Sequence, residues 1–124
     1  MFSSKEKGDL GEEAALKYLI QNGYEILDRN FRTRYGEIDI IGKDKDYIAF
    51  IEVKSRKDFL HGLPCEAVNA NKQHRIVRMA LLYIAKNNLH NSNFRFDVVE
   101  TVINDSDIKY IRLIKDAFQV DSSI

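Results

Sequence analysis

Two short apolar segments carry ionisable side chains at alternate positions, and this pattern constrains the fold more than any other feature. The segments are 36–41 and 50–54. Alternate side chains of a strand point to one face, so each segment is expected to present two ionisable groups together. Burying such charges costs several kcal/mol per ion unless they are paired or bind a metal. The residues that form the pattern are Glu37, Asp39, Glu52 and Lys54.

The composition indicates a single soluble domain over residues 1–124, which is long enough for a core of its own. The formal net charge is zero, so only local clusters of charge could support a nucleic-acid partner. One cysteine, Cys65, excludes an internal disulfide and a cysteine-based zinc site. The chain starts with a polar segment and has no apolar run of the ~18 residues that a membrane span needs. We therefore expect a cytoplasmic protein without a membrane partner.

Hydrophobic periodicity predicts the order helix, three strands, helix, two strands, or αβββαββ. This order predicts an α/β fold with a mixed β-sheet flanked by helices. A turn at 42–46 makes the second and third strands a hairpin, and residues 55–65 are expected to form an exposed loop. The predicted bounds are a helix from about residue 4 that ends at 22–23, strands 24–32, 35–41 and 47–54, a helix at about 70–87, and strands 94–103 and 108–114.

The hairpin brings two carboxylates together. With its turn centred near residue 45, Asp39 lies opposite or diagonal to a residue between 49 and 52, at a Cβ distance of ~5 Å or ~7–8 Å. Asp39 and Glu52 are therefore expected to converge, and two such carboxylates favour a hard cation such as Mg²⁺. Lys54 shares a face with Glu52, where it could activate a water molecule or stabilise charge on a phosphoryl group.

Two further residues are expected to point to the same place. Glu12 lies beside the apolar face of the first helix, where Gly8 and Gly11 are expected to mark close backbone approach. Gln73 leans inward at the start of the second long helix. Together with Glu12, the residues of the two strands make four acids and one lysine. The excess of negative charge favours binding of a cation. The alternatives are an ordinary ion pair between Glu52 and Lys54, surface positions for the acids, and a helix-capping role for Gln73.

Basic residues surround this cluster. Arginines interleave with Phe31 and Tyr35 ahead of the hairpin, and basic residues recur every three positions on the second long helix. Such groups supply sequence-independent affinity for phosphates. For the helix group, a solvated helix face is an equally good interpretation. The basic residues are Arg29, Arg32, Arg34, Arg56, Lys57, Lys72, Arg75 and Arg78.

The chain resembles the PD-(D/E)XK nuclease core, in Asp39 followed after a hairpin by Glu52-Val53-Lys54, with Ile38 where that signature often has proline. It resembles more closely the YraN family of bacterial endonucleases, which is related to archaeal Holliday-junction resolvases. The resemblance implies a restriction-endonuclease-like fold, with Asp39, Glu52 and the Val53 carbonyl as metal ligands, Glu12 as the first-helix acid and Lys54 as the catalytic lysine. The matching segments are Gly8-x-x-Gly11-Glu12 with Ala15, 23–24, 29–32, 36–41, 50–56, 72–73 and 95–99.

The resulting expectation is a Mg²⁺-dependent endonuclease that hydrolyses phosphodiester bonds in DNA, with branched or damaged DNA as substrate and Mn²⁺ able to substitute. Gln73 would orient groups near Lys54, and a two-fold homodimer would allow symmetric cutting. A nuclease-like protein that binds nucleic acid without cutting it is the first alternative. A protein-interaction module that keeps the ion network only for structure is the second. The expected DNA-backbone contacts are Arg29, Arg32, Arg56 and Lys72.

Overall fold

A computed structural model describes residues 4–56 and 69–119, and it confirms the predicted order of elements. The strands extend slightly beyond their predicted ends, because the hairpin turn is shorter than expected and the third strand continues to Arg56. The remainder of the predicted 55–65 loop lies outside the described residues. The elements are α1 (Ser4–Gln21), β1 (Glu25–Thr33), β2 (Gly36–Asp44), β3 (Tyr47–Arg56), α2 (Ala70–Lys86), β4 (Asn93–Asn104) and β5 (Asp107–Ile114).

The five strands form one mixed sheet in the order β1-β2-β3-β4-β5. All neighbouring strands are antiparallel except β3 and β4, which run parallel with Tyr47 opposite Asn93 and Arg56 opposite Val102. Parallel neighbours need a crossover connection, and α2 lies within it. Strand β3 is therefore central, and its last residues pair with β4 beyond the point where its pairing with β2 ends.

Two apolar clusters hold the helices against the sheet. The cluster at α1 contains Ala15 and Leu19 together with residues of β2, β3 and β4. The cluster at α2 contains the buried stripe of that helix, including Ile76 and Tyr83, and Phe50 of β3. The α2 helix starts at a defined place because the side chain of Asn69 accepts a hydrogen bond from the Lys72 N–H. Within the described part of the chain, no helix combines the length and apolar character that a membrane span requires.

Candidate functional site

Asp39 lies where the pairing of β2 with β3 ends. The two strands pair in antiparallel register as far as Ile40 opposite Ile51. At the next step the backbone N–H of Val53 donates a hydrogen bond of 2.8 Å to the Asp39 carboxylate. The Asp39 side chain thus accepts a hydrogen bond that a backbone carbonyl would otherwise accept. Its carboxylate therefore lies against β3, next to Glu52.

The side-chain alternation of β2 is interrupted around Asp39. Ile38 and Ile40 are two residues apart, yet Ile38 packs in the α2 cluster and Ile40 in the α1 cluster. On the neighbouring strand, Asn30 has a left-handed backbone with a φ of 53°. Strict alternation, on which the predicted shared face of Glu37 and Asp39 depends, therefore does not hold through this segment.

The Asp39 carboxyl is costly to ionise. Burial raises its pKa from 3.8 to about 7, and the charge of Glu52 adds to the increase. The hydrogen bond from Val53 lowers the pKa, while the acids Glu12 and Glu37 raise it further. Among the residues that the structure describes, no basic side chain lies within ion-pair distance of this carboxylate. A cation bound to Asp39 would favour its ionised form.

Glu52 is held by two lysines. Its Oε1 lies 2.5 Å from Lys72 Nζ and 3.5 Å from Lys54 Nζ, and only 12% of its side chain is exposed. Burial, and then the neighbouring Lys72, lower the pKa of Lys54. Burial alone would also lower the pKa of Lys72, but its hydrogen bonds and the charge of Glu52 leave it raised overall. Of the two lysines, Lys54 is thus the one that loses its proton more readily.

Asn30 connects the acids of α1 and β2. Its side-chain amide donates to Glu12 Oε1 at 2.9 Å and to Glu37 Oε1 at 2.5 Å. Arg29 lies 2.7 Å from Glu13 and 3.8 Å from Glu12. Asn30 lies in the matching segment 29–32, but the sequence predicts no functional role for it. The physical signal is that asparagine tolerates a left-handed backbone better than most residues.

Glu12 is brought to the sheet by the glycine before it. A Cβ added to Gly11 would lie 2.0 Å from the Ser55 hydroxyl oxygen and 3.1 Å from the Thr101 hydroxyl oxygen. The predicted close approach at Gly11 is therefore confirmed. The same prediction is wrong for Gly8, whose added Cβ would meet nothing within 4 Å.

The basic residues that are predicted to contact phosphate lie in different environments. Arg32 is 81% exposed and pairs with Glu37, whereas Arg56 is 11% exposed and pairs with Glu100 at 2.8 Å. Lys72 lies at Glu52, in the same cluster as Lys54. Gln73 follows Lys72 in the first turn of α2 and is partly exposed.

The acids of the cluster have more basic partners than the sequence predicts. In addition to Lys54, Lys72 binds Glu52, Arg29 lies near Glu12, and Arg32 binds Glu37 at 3.2 Å. The expected excess of four acids over one lysine is therefore wrong, because it omits side chains from β1 and α2. Among the described residues, Asp39 is the one acid of this cluster that has no basic side chain within ion-pair distance.

The oxygen atoms that the sequence predicts as metal ligands are of the type that hard divalent cations prefer. The carboxylates of Asp39 and Glu52 and the carbonyl of Val53 are the ligand type that Mg²⁺ and Mn²⁺ prefer. Within residues 4–56 and 69–119, no three side chains of His, Cys, Asp or Glu are grouped so as to hold a metal ion. Two side chains and one carbonyl would share the metal with water, and Mg²⁺ commonly retains several water molecules.

These features define an α/β protein whose central strand carries a Glu-Val-Lys segment beside a partly buried aspartate. The chain belongs to the uncharacterised protein family UPF0102, whose model matches residues 11–101. UPF0102 proteins of Clostridium tetani and Clostridium kluyveri are 58% and 54% identical to it over 118 residues, which cover 94% of this chain and 97% of each relative. The crystal structure of a repair endonuclease from Pyrococcus abyssi aligns with a TM-score of 0.40 and 22% identity, over 86% of this chain and 41% of that chain.

Proposed function

We propose that this protein is a metal-dependent endonuclease that hydrolyses phosphodiester bonds in DNA, with branched or damaged DNA as its substrate. One observation carries the proposal: the partly buried Asp39 carboxylate is held at β3 next to Glu52, Val53 and Lys54, without a basic partner among the described residues. This arrangement supplies acidic ligands and a lysine at the same point, as the resemblance to PD-(D/E)XK nucleases requires.

The metal ligands in this proposal are the Asp39 and Glu52 carboxylates and the Val53 carbonyl. A Mg²⁺ or Mn²⁺ ion held there would supply positive charge to stabilise the phosphoryl oxygens during the reaction. To bind it, Glu52 must exchange at least part of its contact with the two lysines for the cation. That exchange would leave Lys54 beside the substrate phosphate.

Lys54 is the proposed catalytic lysine. In hydrolysis, a water oxygen bonds to phosphorus, the ester P–O bond breaks, and the leaving oxygen takes up a proton. The lowered pKa of Lys54, due first to burial and then to Lys72, makes its neutral form accessible as an acceptor for the water proton. We propose that Glu12, positioned by Asn30, orients water in the site, and that Gln73 orients Lys54.

The proposed DNA contacts differ from those expected from the sequence. Arg32, which is 81% exposed, and Arg29, which is 39% exposed, can reach a phosphate if they leave their carboxylate partners. For Arg56 and Lys72, which are largely buried against acids, we propose no such contact. We further propose a two-fold homodimer, which sedimentation velocity would detect as a species of about twice the mass of the chain.

Cleavage of a panel of labelled DNAs tests the function. Four-way junction, single-stranded and duplex substrates are incubated with Mg²⁺, Mn²⁺ or EDTA, using wild type, Asp39→Ala and Lys54→Ala. We expect metal-dependent products from wild type alone, most abundant with the junction. Equal behaviour of all three proteins, independent of metal, would contradict the proposal.

A DNA-binding protein that does not cut is the second candidate. It is favoured by Glu52, which is already compensated by two lysines and so does not require a metal ion. Tight binding of the junction by wild type, without products under any metal condition, would support this candidate over the nuclease.

A further inference from the structure

The turn between β1 and β2 holds a tyrosine against two arginines. The guanidinium carbon of Arg34 lies 5.0 Å from the centre of the Tyr35 ring, and its Nη2 donates a 2.8 Å hydrogen bond to the Tyr35 hydroxyl. The guanidinium carbon of Arg78, which comes from α2, lies 5.5 Å from the same ring centre. One aromatic ring thus gathers two positive charges from separate elements.

The turn is built to hold this ring in place. The Thr33 hydroxyl accepts a hydrogen bond from the Tyr35 N–H at 3.0 Å and donates one to the Gly36 carbonyl at 3.3 Å. Gly36 has a φ of +131°, which favours glycine over any residue with a side chain. Tyr35 also packs against the α2 cluster, so a ligand that contacts the arginines meets a surface that is largely formed in advance.

The two arginines are not neutralised. In the part of the chain that the structure describes, no carboxylate lies within ion-pair distance of Arg34 or Arg78, whereas Arg29 and Arg32 both pair with acids. The hydrogen bond from Arg34, assisted by the charge of Arg78, lowers the pKa of the Tyr35 hydroxyl, which reports the same excess of positive charge. An anion between the two guanidinium groups would relieve their repulsion.

This surface lies near the candidate site along both elements that build it. Asp39 follows Gly36 by three residues of β2, or about 10 Å. Arg78 follows Lys72 by six residues of α2, or about 9 Å. Successive phosphates of one DNA strand are separated by about 3.4 Å along the axis of B-form DNA. Because the strand also winds around that axis, the direct distance between its phosphates exceeds this rise, so a strand whose scissile phosphate lies at Asp39 would place a phosphate about one or two nucleotides away at Tyr35.

We propose that Arg34, Tyr35 and Arg78 form a binding site for the phosphate backbone of a DNA strand that continues into the candidate active site. This inference rests on the proposed function for its ligand, but not on metal binding or cleavage. Guanidinium groups suit the role because they donate two parallel hydrogen bonds to a phosphate. Tyr35 serves as the ring that keeps both groups in position.

Fluorescence anisotropy with a labelled four-way junction in EDTA tests this site without any cleavage. The variant Arg34→Ala/Arg78→Ala is compared with Lys17→Ala/Lys109→Ala, which also removes two exposed positive charges, one from α1 and one from β5. We expect the arginine variant to bind at least tenfold more weakly, with a slope of log K against log salt concentration smaller by about 2. The lysine variant should bind within twofold of wild type.

Two Tyr35 variants distinguish the contribution of the ring to DNA affinity from that of the hydroxyl. Tyr35→Ala should weaken binding severalfold because both guanidinium groups lose their support, whereas Tyr35→Phe should retain most of the affinity. Equal loss in the arginine and lysine double variants would overturn the site, since general charge would then suffice. Loss of binding confined to the arginine variant, in a protein that never cuts DNA, would support this site and contradict only the nuclease. Absence of DNA binding by wild type would overturn both proposals.

Discussion

The ionised form of Asp39 opposes folding in the absence of a cation. The carboxylate is partly buried near three other acids, and the backbone N–H of Val53 that donates to it does not offset the loss of water. Such a group is retained at a cost in stability, which is a common feature of functional sites. The contribution of ionised Asp39 can therefore be measured as a change in the free energy of unfolding with pH.

Replacing Asp39 with asparagine should stabilise the metal-free protein. The pKa of Asp39 in the folded chain, about 7, lies above its ordinary value of 3.8, so the folded state binds this proton more tightly. The free energy of unfolding of wild type should therefore fall as the pH rises from about 4 to about 7. Asp39→Asn lacks this loss and should be more stable by on the order of 3 kcal/mol at pH 8.

Urea unfolding in EDTA between pH 4.5 and 8 measures this difference. Asp9→Asn, a change at an exposed position of α1, is the matched control and should follow wild type across the range. If the free energies of unfolding of wild type and Asp39→Asn changed with pH in parallel, ionised Asp39 would not destabilise the folded protein. Added Mn²⁺ should raise the melting temperature of wild type and leave that of Asp39→Asn unchanged.

In the proposed metal site, Lys72 would compete with the ion for Glu52. Its ammonium lies 2.5 Å from Glu52 Oε1, where it supplies positive charge to a proposed metal ligand. Lys72→Ala should therefore bind Mn²⁺ severalfold more tightly than wild type, and Lys72→Arg should not, because it keeps the charge. Isothermal titration calorimetry gives the affinities, and weaker binding by Lys72→Ala would contradict competition.

At the scale of elements, α1 approaches the sheet through Gly11. The absence of a side chain lets the helix contact Ser55 of β3 and Thr101 of β4, whose hydroxyl groups are hydrogen-bonded to each other at 2.9 Å. This contact fixes the height of α1 above the sheet and so the reach of Glu12, the next residue.

Two glycine-to-alanine variants of α1 should have opposite effects. Gly11→Ala places a methyl group 2.0 Å from the Ser55 hydroxyl oxygen and should lower the free energy of unfolding by about 2 kcal/mol. Gly8→Ala meets nothing within 4 Å and should raise it by up to about 1 kcal/mol through helix propensity. Thermal unfolding distinguishes them, and Ser55→Ala should partly rescue Gly11→Ala. A neutral or stabilising Gly11→Ala would show that the helix is free to move outward.

The elements could be predicted from the sequence because their signals are local. Periodicity and turn residues determine the order αβββαββ, and the hairpin turn sets the register that leads to Asp39. The change of faces around Asp39 could not be predicted, because it lies opposite a left-handed backbone at Asn30 on another strand, and a single strand's pattern does not show that pairing. The position of Lys72 at Glu52 could not be predicted either, because it depends on how α2 lies across the sheet.

Across the whole molecule, the charged side chains of this neutral chain form separate clusters. The clusters differ in how fully their acids are paired with basic residues. Asp97 is 1% exposed and accepts hydrogen bonds from Arg95, from the Tyr24 hydroxyl and from the Asp116 N–H. Arg95 also binds Asp44 at 2.8 Å. This second buried cluster satisfies its own acids, unlike Asp39, and joins β4 to β2 and to the residues after β5.

Asp97→Asn should therefore reduce stability without affecting metal binding. Removing one charge of a buried pair leaves Arg95 incompletely compensated, so the free energy of unfolding should fall by about 3 kcal/mol. Asp107→Asn, at an exposed position of β5, should change it by less than about 0.5 kcal/mol. Denaturant unfolding provides the comparison, and a shift in Mn²⁺ affinity for Asp97→Asn would contradict the separation of the two clusters.

Single-turnover cleavage of a four-way junction compares wild type with Asp39→Asn and Lys54→Ala, with protein in excess and Mn²⁺ present. We predict that the variants bind the junction in EDTA as wild type does, and that each cleaves it at least a hundredfold more slowly. Cleavage by Asp39→Asn and Lys54→Ala at the wild-type rate would contradict the assignment of these residues as the active site.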